Sequence, residues 1–177
     1  MNIHTQPHTP REILERITQV DVPYVNFEGD ECAGSIEVHR DVEHDVRAFF
    51  DAAVRLEFPM SGVVSASEFG FDDDALMAAN MTSGFNYRKI AGQKRLSQHA
   101  LGRAIDVNPR LNPYTKYTHG NAVLRLPPNG SYDIAQPGTL HASHPLVRFM
   151  RENSWEWGGD WLPESGRVDV HHFEKCE

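Results

Sequence analysis

The most regular hydrophobic pattern along the chain lies between residues 42 and 56. Apolar side chains recur there at intervals of three and four residues, which places them on one face of a helix. They are Val42, Val46, Phe49, Phe50, Ala53 and Val54. A second amphipathic helix is predicted over residues 145–153, because Ser143-His144-Pro145 is typical of a helix start and apolar residues follow it.

The remaining elements are shorter and mix helical with alternating periodicity. Thr9 and Pro10 are typical of a helix cap and a first helical position, so a short helix is predicted from there to about residue 20. Residues 71–80 are predicted as a helical turn. Alternation predicts short strands at 24–27, 35–38, 62–70 (ending in a turn), 81–90, 102–109 and 167–175, and glycine, proline and asparagine predict turns at 112–117 and 127–134.

These elements do not follow the regular strand–helix–strand spacing of a parallel sheet. We therefore predict an α+β fold with a mainly antiparallel central sheet flanked by helices. The absence of repeats and of low-complexity linkers predicts one domain over residues 1–177, in which residues 1–30 are an amino-terminal extension with its helix.

Composition excludes several classes of partner. With 40% apolar and 24% charged residues the 177-residue chain is expected to fold, and its net charge of −8 argues against nucleic acid and anionic membranes as partners. No apolar run reaches membrane-spanning length, and residues 1–13 lack the basic start and apolar stretch of a secretory signal. Cys32 and Cys176 are too isolated to predict a disulfide or a zinc site.

The stretch RLSQHALGRAIDVNP, residues 95–109, carries the first candidate chemistry. Asp106 stands between Ile105 and Val107 in a strand-like run, so alternation puts the apolar side chains toward the core and the carboxylate on the opposite face. His99 comes just before an expected turn, which can bring its ring back beside Asp106. A histidine nitrogen and a carboxylate oxygen at one point are two of the three protein ligands that a catalytic zinc ion needs.

A third ligand is expected from the segment DVHHFE, residues 169–174. Strict alternation puts Asp169 and His171 on one face and His172 on the other, so spacing leaves the choice of histidine open. Two histidines and one carboxylate leave a coordination position for water, whose proton a further carboxylate can accept. Taken alone, a histidine and an aspartate at this spacing are usually a surface histidine and a capping or salt-bridged carboxylate, and the pair of histidines alone is an equally weak signal.

The pattern formed by Ser97, His99, Gly102 and Asp106 resembles that of zinc peptidases that cut the stem peptides of bacterial peptidoglycan. These are the VanY-type D-alanyl-D-alanine carboxypeptidases and the L-alanyl-D-glutamate endopeptidases, including phage endolysins; hedgehog amino-terminal domains share their fold. The segments NMTSGFNYRKIAG, NPRLNPY, WEWGGDW and DVHHFE also resemble the endopeptidase branch, in the same order. The resemblance covers roughly residues 35–174.

The resemblance implies a role for each of five side chains. His99 and Asp106 correspond to the first two zinc ligands, and His172, directly before Phe-Glu, corresponds to the third. Asp169 corresponds to the general base, and Arg88 to the arginine that polarises the scissile carbonyl and stabilises its oxyanion. One zinc ion is the expected cofactor, bound on the sheet.

Four further residues are expected around the centre. Ser97 lies at its edge, where it hydrogen-bonds substrate or a neighbour of a ligand, and Asp160 supports the ligands from behind. Trp157 and Trp161 wall the cleft, with ordinary core packing as the alternative for both. The choice of His172 as third ligand also requires a bend or bulge in the final strand, near the preceding histidine.

The expected function is that of a zinc peptidase acting on peptidoglycan stem peptides, most directly as an L-alanyl-D-glutamate endopeptidase. A D-alanyl-D-alanine carboxypeptidase is the alternative, although it needs a second cationic group for the terminal carboxylate. A zinc-binding module without catalysis and a metal-free structural protein are further alternatives. The protein is expected to be made in the cytoplasm and to act on the cell wall after release, as lysins do, or on wall fragments.

Overall fold

The longest strand pair in the structure is an antiparallel hairpin near the amino terminus. The structure is a computed structural model that describes residues 6, 8–119, 121–161 and 166–176. Strand β1 (Ile17–Val25) pairs with β2 (Glu31–His39) along its whole length. Helix α1 (Arg11–Leu14) precedes the hairpin, and α2 (Glu43–Arg55) follows it and packs against β1.

The amphipathic helix predicted over residues 42–56 is confirmed, whereas the helix predicted to continue to about residue 20 is wrong. It ends at Leu14, and the next residues enter β1. β-Branched residues dominate the segment, and they pack well on a pleated surface with a partner strand beside it. Ile17, Val20 and Val22 are buried there against the core. Thr9 does not cap α1, because the N-cap position is Pro10.

A second sheet has three antiparallel strands in the order β5–β4–β7. They are β4 (Tyr114–Thr118), β5 (Asn121–Leu126) and β7 (Arg167–Asp169). The turn predicted over residues 112–117 is therefore wrong after Pro113, since Tyr-Thr-Lys-Tyr-Thr forms the central strand of this sheet. The turn-rich character predicted for residues 127–134 is confirmed.

The third sheet is the smallest and has the order β3–β8–β6. Its strands are β3 (Ala104–Asp106), β6 (Glu156–Trp157) and β8 (His172–Glu174), again all antiparallel. Helices α3 (Asp73–Ala78) and α4 (Pro145–Glu152) complete the regular elements, and His144 is the N-cap of α4. The predicted α+β class is thus confirmed, and the described residues form three small sheets in place of one central sheet.

The strands predicted at residues 62–70 and 81–90 do not form. Each run is held by single bridges, Val63 to Thr82 and Ser83 to Asp106, and a 3₁₀ helix (Ala66–Phe69) follows the first. Backbones approach closely in this region: a Cβ atom on Gly84 would lie 2.4 Å from the carbonyl oxygen of Glu37. Together with the hydrogen bond from the N–H of Ser35 on β2 to the carbonyl oxygen of Val63, these bridges link β2 to β3 without a continuous ladder.

One cluster of buried apolar side chains connects these elements. It runs from Val20 on β1 through Phe49 and Phe50 on α2 to Ile105 on β3 and Phe173 on β8. The rings of Phe49 and Phe173 lie 5.9 Å apart between centroids, so the third sheet is anchored directly on α2. No helix within the described ranges combines the length and apolar character that a bilayer crossing needs.

Candidate metal centre

Three side chains converge on one buried point, two from nearby positions in the sequence and the third from a segment 66 residues further on. The Nε2 atom of His99 lies 3.2 Å from a carboxylate oxygen of Asp106 and 3.1 Å from Nδ1 of His172. That Nδ1 atom is 3.0 Å from the other oxygen of Asp106. The three side chains are between 3% and 6% exposed. They form a set of nitrogen and oxygen donors that face each other closely enough to share one cation.

Local structure fixes the position of His99. It lies on a single 3₁₀ turn (Gln98–Leu101) whose first backbone N–H groups are capped by Ser97, and Gly102 ends the turn with φ = 68°. A Cβ atom on Gly102 would lie 2.5 Å from the backbone nitrogen of His39, so only glycine fits this left-handed position. The short turn returns the chain immediately to β3.

The other two donors are cross-strand neighbours. Asp106 on β3 stands directly opposite His172 on β8, so their side chains share one face of the sheet. On the other face, Ile105 and Phe173 are opposite each other and fully buried. The predicted alternation of β3, with apolar residues in the core and the carboxylate away from it, is confirmed.

Hydrogen bonds on the far side of each ring determine which nitrogen is free for a metal. Nδ1 of His99 lies 2.7 Å from the carbonyl oxygen of Gly84, which can only accept, so this nitrogen carries the proton. Nε2 of His172 lies 2.9 Å from a carboxylate oxygen of Glu174 and donates to it. In the neutral rings, the two facing nitrogens then both present lone pairs, an arrangement that a shared cation stabilises. The residues therefore fit a metal ion.

The electrostatics of the cluster match this interpretation. Burial alone would raise the pKa of Asp106, but the charges of His99 and His171 and hydrogen bonds from the rings hold that pKa well below its usual range. Burial lowers the pKa of His172, but hydrogen bonds to Asp106 and Glu174 outweigh it and raise the pKa to about 10. The carboxylates of Asp106 and Glu174 thus stabilise positive charge at this point, as a site for a cation requires.

The strand predicted over residues 167–175 is interrupted by a turn directly before His172. Strand β7 ends at Asp169 in the second sheet, residues 170 and 171 form a turn, and β8 starts at His172 in the third sheet. The bend predicted near His171 is confirmed. Because of this turn, Asp169 and His172 do not obey strict alternation, and the chain can bring both toward the same centre.

His171 occupies the space between the two aspartates. Its Nε2 atom lies 2.9 Å from Asp169 and 3.9 Å from Asp106, and its Nδ1 atom lies 2.8 Å from the carbonyl oxygen of Asn112. His171 does not belong to the group of three converging donors. Burial lowers its pKa, but the charges of Asp169 and Asp106 outweigh burial and raise the pKa to about 9.

Arg88 faces a carboxylate of the helix that precedes it. Its Nη2 atom lies 3.0 and 2.9 Å from the two oxygens of Asp73 on α3. The backbone N–H of Ser97 donates to the carbonyl oxygen of Arg88, which places this arginine beside the turn that carries His99. Within the described part of the chain, the buried Nε atom of Arg88 has no hydrogen-bond partner.

The remaining expected residues have other contacts. Ser97 is the cap of the 3₁₀ turn, and Trp157 is buried with its Nε1 atom bonded to the carbonyl oxygen of Val170. Asp160 pairs with Arg151 through both carboxylate oxygens. The ring of Trp161 is half-buried and lies 5.4 Å from that of His172, so of this group it is the one that borders the ligands. The substrate and support roles assigned to the group stay predictions.

Sequence reasoning missed two carboxylates. Glu174 carried a signal, because it follows His172 by two residues in a strand and so shares its face. The sequence contains no such signal for Asp73, since nothing in it connects the first turn of α3 with Arg88. Cys32 and Cys176 are both free.

Residues 91–175, just under half of the chain, match the family of D-alanyl-D-alanine carboxypeptidases. This segment is therefore similar to a peptidase family. The matched segment contains His99, Asp106, Asp169 and His172, whereas Arg88 lies just before it. Neither a curated protein nor a solved structure matches this chain significantly.

The geometry predicts which histidine of the pair holds the metal. We expect His172→Ala to lose zinc, because its Nδ1 atom is one of the three converging donors, and His171→Ala to retain zinc. Zinc per protein after reconstitution and gel filtration, measured by mass spectrometry, checks this. Metal kept by His172→Ala and lost from His171→Ala would reverse the assignment.

Proposed function

We propose that this protein is a zinc metallopeptidase that hydrolyses an amide bond in peptidoglycan stem peptides, as an L-alanyl-D-glutamate endopeptidase. The observation that carries the proposal is the convergence of His99, Asp106 and His172, with Asp169 three residues before the last of them. The match of residues 91–175 to a family of D-alanyl-D-alanine carboxypeptidases supports the reaction class and the peptidoglycan substrate. The endopeptidase specificity rests on the resemblance of several segments in order.

A bound zinc ion would supply Lewis-acid chemistry at this point, polarising the scissile carbonyl and making a water molecule more acidic. The donors for it are Nε2 of His99, a carboxylate oxygen of Asp106 and Nδ1 of His172. Glu174 and the carbonyl oxygen of Gly84 hold the two rings in the required tautomers. Each ring therefore keeps its orientation and its free lone pair.

Asp169 is the proposed proton carrier. Its side chain is 16% exposed, so solvent can reach it. The ring of His171 lies between this carboxylate and that of Asp106, one of the three metal donors. As a carboxylate it accepts a proton from the attacking water, and it then returns that proton to the leaving amine.

Arg88 is the proposed donor to the carbonyl oxygen of the substrate. A guanidinium has five N–H donors and stays charged, so it can pair with Asp73 and still offer Nε and Nη1 to an oxyanion. The buried and unpartnered Nε atom supports this, since an unmet donor gains a partner when negative charge develops beside it.

The bond cleaved is tested with purified peptidoglycan and mass spectrometry of the products. We expect release of peptides that begin with D-glutamate, leaving L-alanine on the glycan. Release of free D-alanine from pentapeptide stems would instead identify a D-alanyl-D-alanine carboxypeptidase, the second candidate, which the family match favours. Zinc binding without either product would identify a non-catalytic module, and no zinc at all would leave a structural role.

Asp169→Asn is expected to separate metal binding from catalysis. Asparagine has nearly the same shape but cannot accept a proton, so turnover falls by about 10²–10⁴-fold. Zinc content stays at the wild-type value because the three donors are unchanged. Rates of stem-peptide hydrolysis and metal analysis on the same preparation test this; wild-type turnover would remove Asp169 from the mechanism, and zinc loss would make it a ligand.

Arg88→Lys is expected to keep zinc and the fold but lose most activity. Lysine retains the charge but has no planar group that can hold Asp73 and an oxyanion together, and loss of one such donor costs about 10²–10³-fold in turnover. Arg148→Lys on α4 is a matched control with a surface arginine. Near-wild-type turnover of Arg88→Lys and of Arg88→Ala would assign Arg88 a structural role.

A further inference from the structure

His171 is a buried polar residue that is neither one of the proposed metal donors nor one of the proposed substrate contacts. It is 3% exposed and lies directly before the third donor, yet it is outside the group that converges on the metal. We propose that His171 is a positioning residue that holds Asp169, the proton carrier, in the orientation needed for catalysis. This inference rests on the proposed function.

The ring of His171 is fixed from behind. Its Nδ1 atom lies 2.8 Å from the carbonyl oxygen of Asn112 and donates to it, because a carbonyl oxygen can only accept. The backbone of His171 is also tied to this part of the chain, since its carbonyl oxygen accepts from the N–H of Val107 at 3.0 Å. Ring and backbone are therefore both anchored to the segment that follows β3.

The anchor itself is rigid. Asn112 is fully buried, and its amide nitrogen donates to the carbonyl oxygens of Val107, Asn108 and Gly138. Its side-chain oxygen accepts from the N–H of Leu140 at 2.7 Å. A side chain with all its hydrogen-bonding capacity used within the protein holds its own backbone in place, so the carbonyl that receives His171 cannot shift without breaking several bonds.

The other edge of the ring points at the proton carrier. Once Nδ1 is committed to Asn112, Nε2 is the edge that remains, and it lies 2.9 Å from Oδ1 of Asp169. The contact is an ion pair, and within the described part of the chain Oδ1 has no hydrogen-bond partner, so His171 is the group that holds this oxygen. Nε2 also lies 3.9 Å from Asp106, so the same edge of the ring faces both the ligand carboxylate and the proton carrier.

Two substitutions separate the two edges of the ring. Asparagine at position 171 has an amide nitrogen near the place of Nδ1 and can keep the bond to Asn112, but it does not reach Asp169. Glutamine has its amide nitrogen near the place of Nε2 and can keep the contact with Asp169. Both are neutral amides, so they differ chiefly in which contact they retain.

We expect zinc content near the wild-type value in both variants, and a fall in kcat of about 10- to 100-fold in His171→Asn, the usual effect of losing an outer support of a metal site. His171→Gln should recover most of that loss. KM for a synthetic stem peptide should stay unchanged, since His171 does not touch substrate. Equal kcat in the two variants, or a higher kcat in His171→Asn, would overturn the inference and leave His171 a packing residue.

A spectroscopic measurement covers the case in which either variant fails to fold. In the zinc-loaded protein with ¹⁵N-labelled histidine, Asp169→Asn should shift the Nε2 resonance of His171 and leave its Nδ1 resonance in place. Unchanged resonances would contradict the contact. The two proposals fail on different results. Cleavage by Asp169→Asn at the wild-type rate would contradict the proposed function. An inactive Asp169→Asn, together with equal kcat in the two His171 variants, would contradict only the positioning role of His171.

Discussion

The arrangement of the donors depends on the register between β3 and β8. Asp106 meets His172 because Ala104, Ile105 and Asp106 lie opposite Glu174, Phe173 and His172. A slip of one residue would turn one set of side chains to the opposite face of the sheet, so a carboxylate or an imidazole would enter the core. Burial of Ile105 and Phe173 on that opposite face opposes such a slip, because both are completely excluded from solvent.

A second constraint is the turn at residues 170 and 171, which passes the chain from the second sheet to the third. Neither sheet alone contains the whole centre: β7 supplies Asp169, and β8 supplies His172. Gly158 packs on this transition, where a Cβ atom would lie 2.4 Å from the carbonyl oxygen of Asp169. The positions of Asp169, the proposed proton carrier, and of His172 thus depend on the turn between the two sheets and on the 3₁₀ turn at Gly158 that contacts both β7 and β8.

The sequence predicted the elements whose stability is mainly local. Helix α2 has a clear apolar face, and α4 begins at a cap followed by proline, so both were predicted within a few residues. Residues 17–25 and 114–118 were not predicted as strands over their full lengths, because their partner strands decide their conformation. The same limit applied at the centre, where alternation alone left His171 and His172 equivalent.

Side-chain partners at the centre were harder to predict than the donors. The resemblance named His99, Asp106 and His172, and these side chains do converge. It could not name Asp73, because the position of α3 brings this residue to Arg88. It could not name Asn112 either, because this residue contacts His171 through its backbone carbonyl, which every residue type has. Contacts made by backbone atoms leave little trace in residue identity.

The distance along the chain between the donors has a consequence for assembly. Asp106 and His172 are separated by 66 positions, and the second sheet and α4 lie between them. Closing so long a loop lowers the conformational entropy of the chain, so the contact between the two side chains forms only when other interactions offset that loss. A metal ion bound by both therefore recognises only a chain that has completed this closure, and its binding free energy adds to the stability of the folded state alone. Tight metal binding would then report on folding of the whole molecule, and chelation would loosen elements far from the ligands themselves.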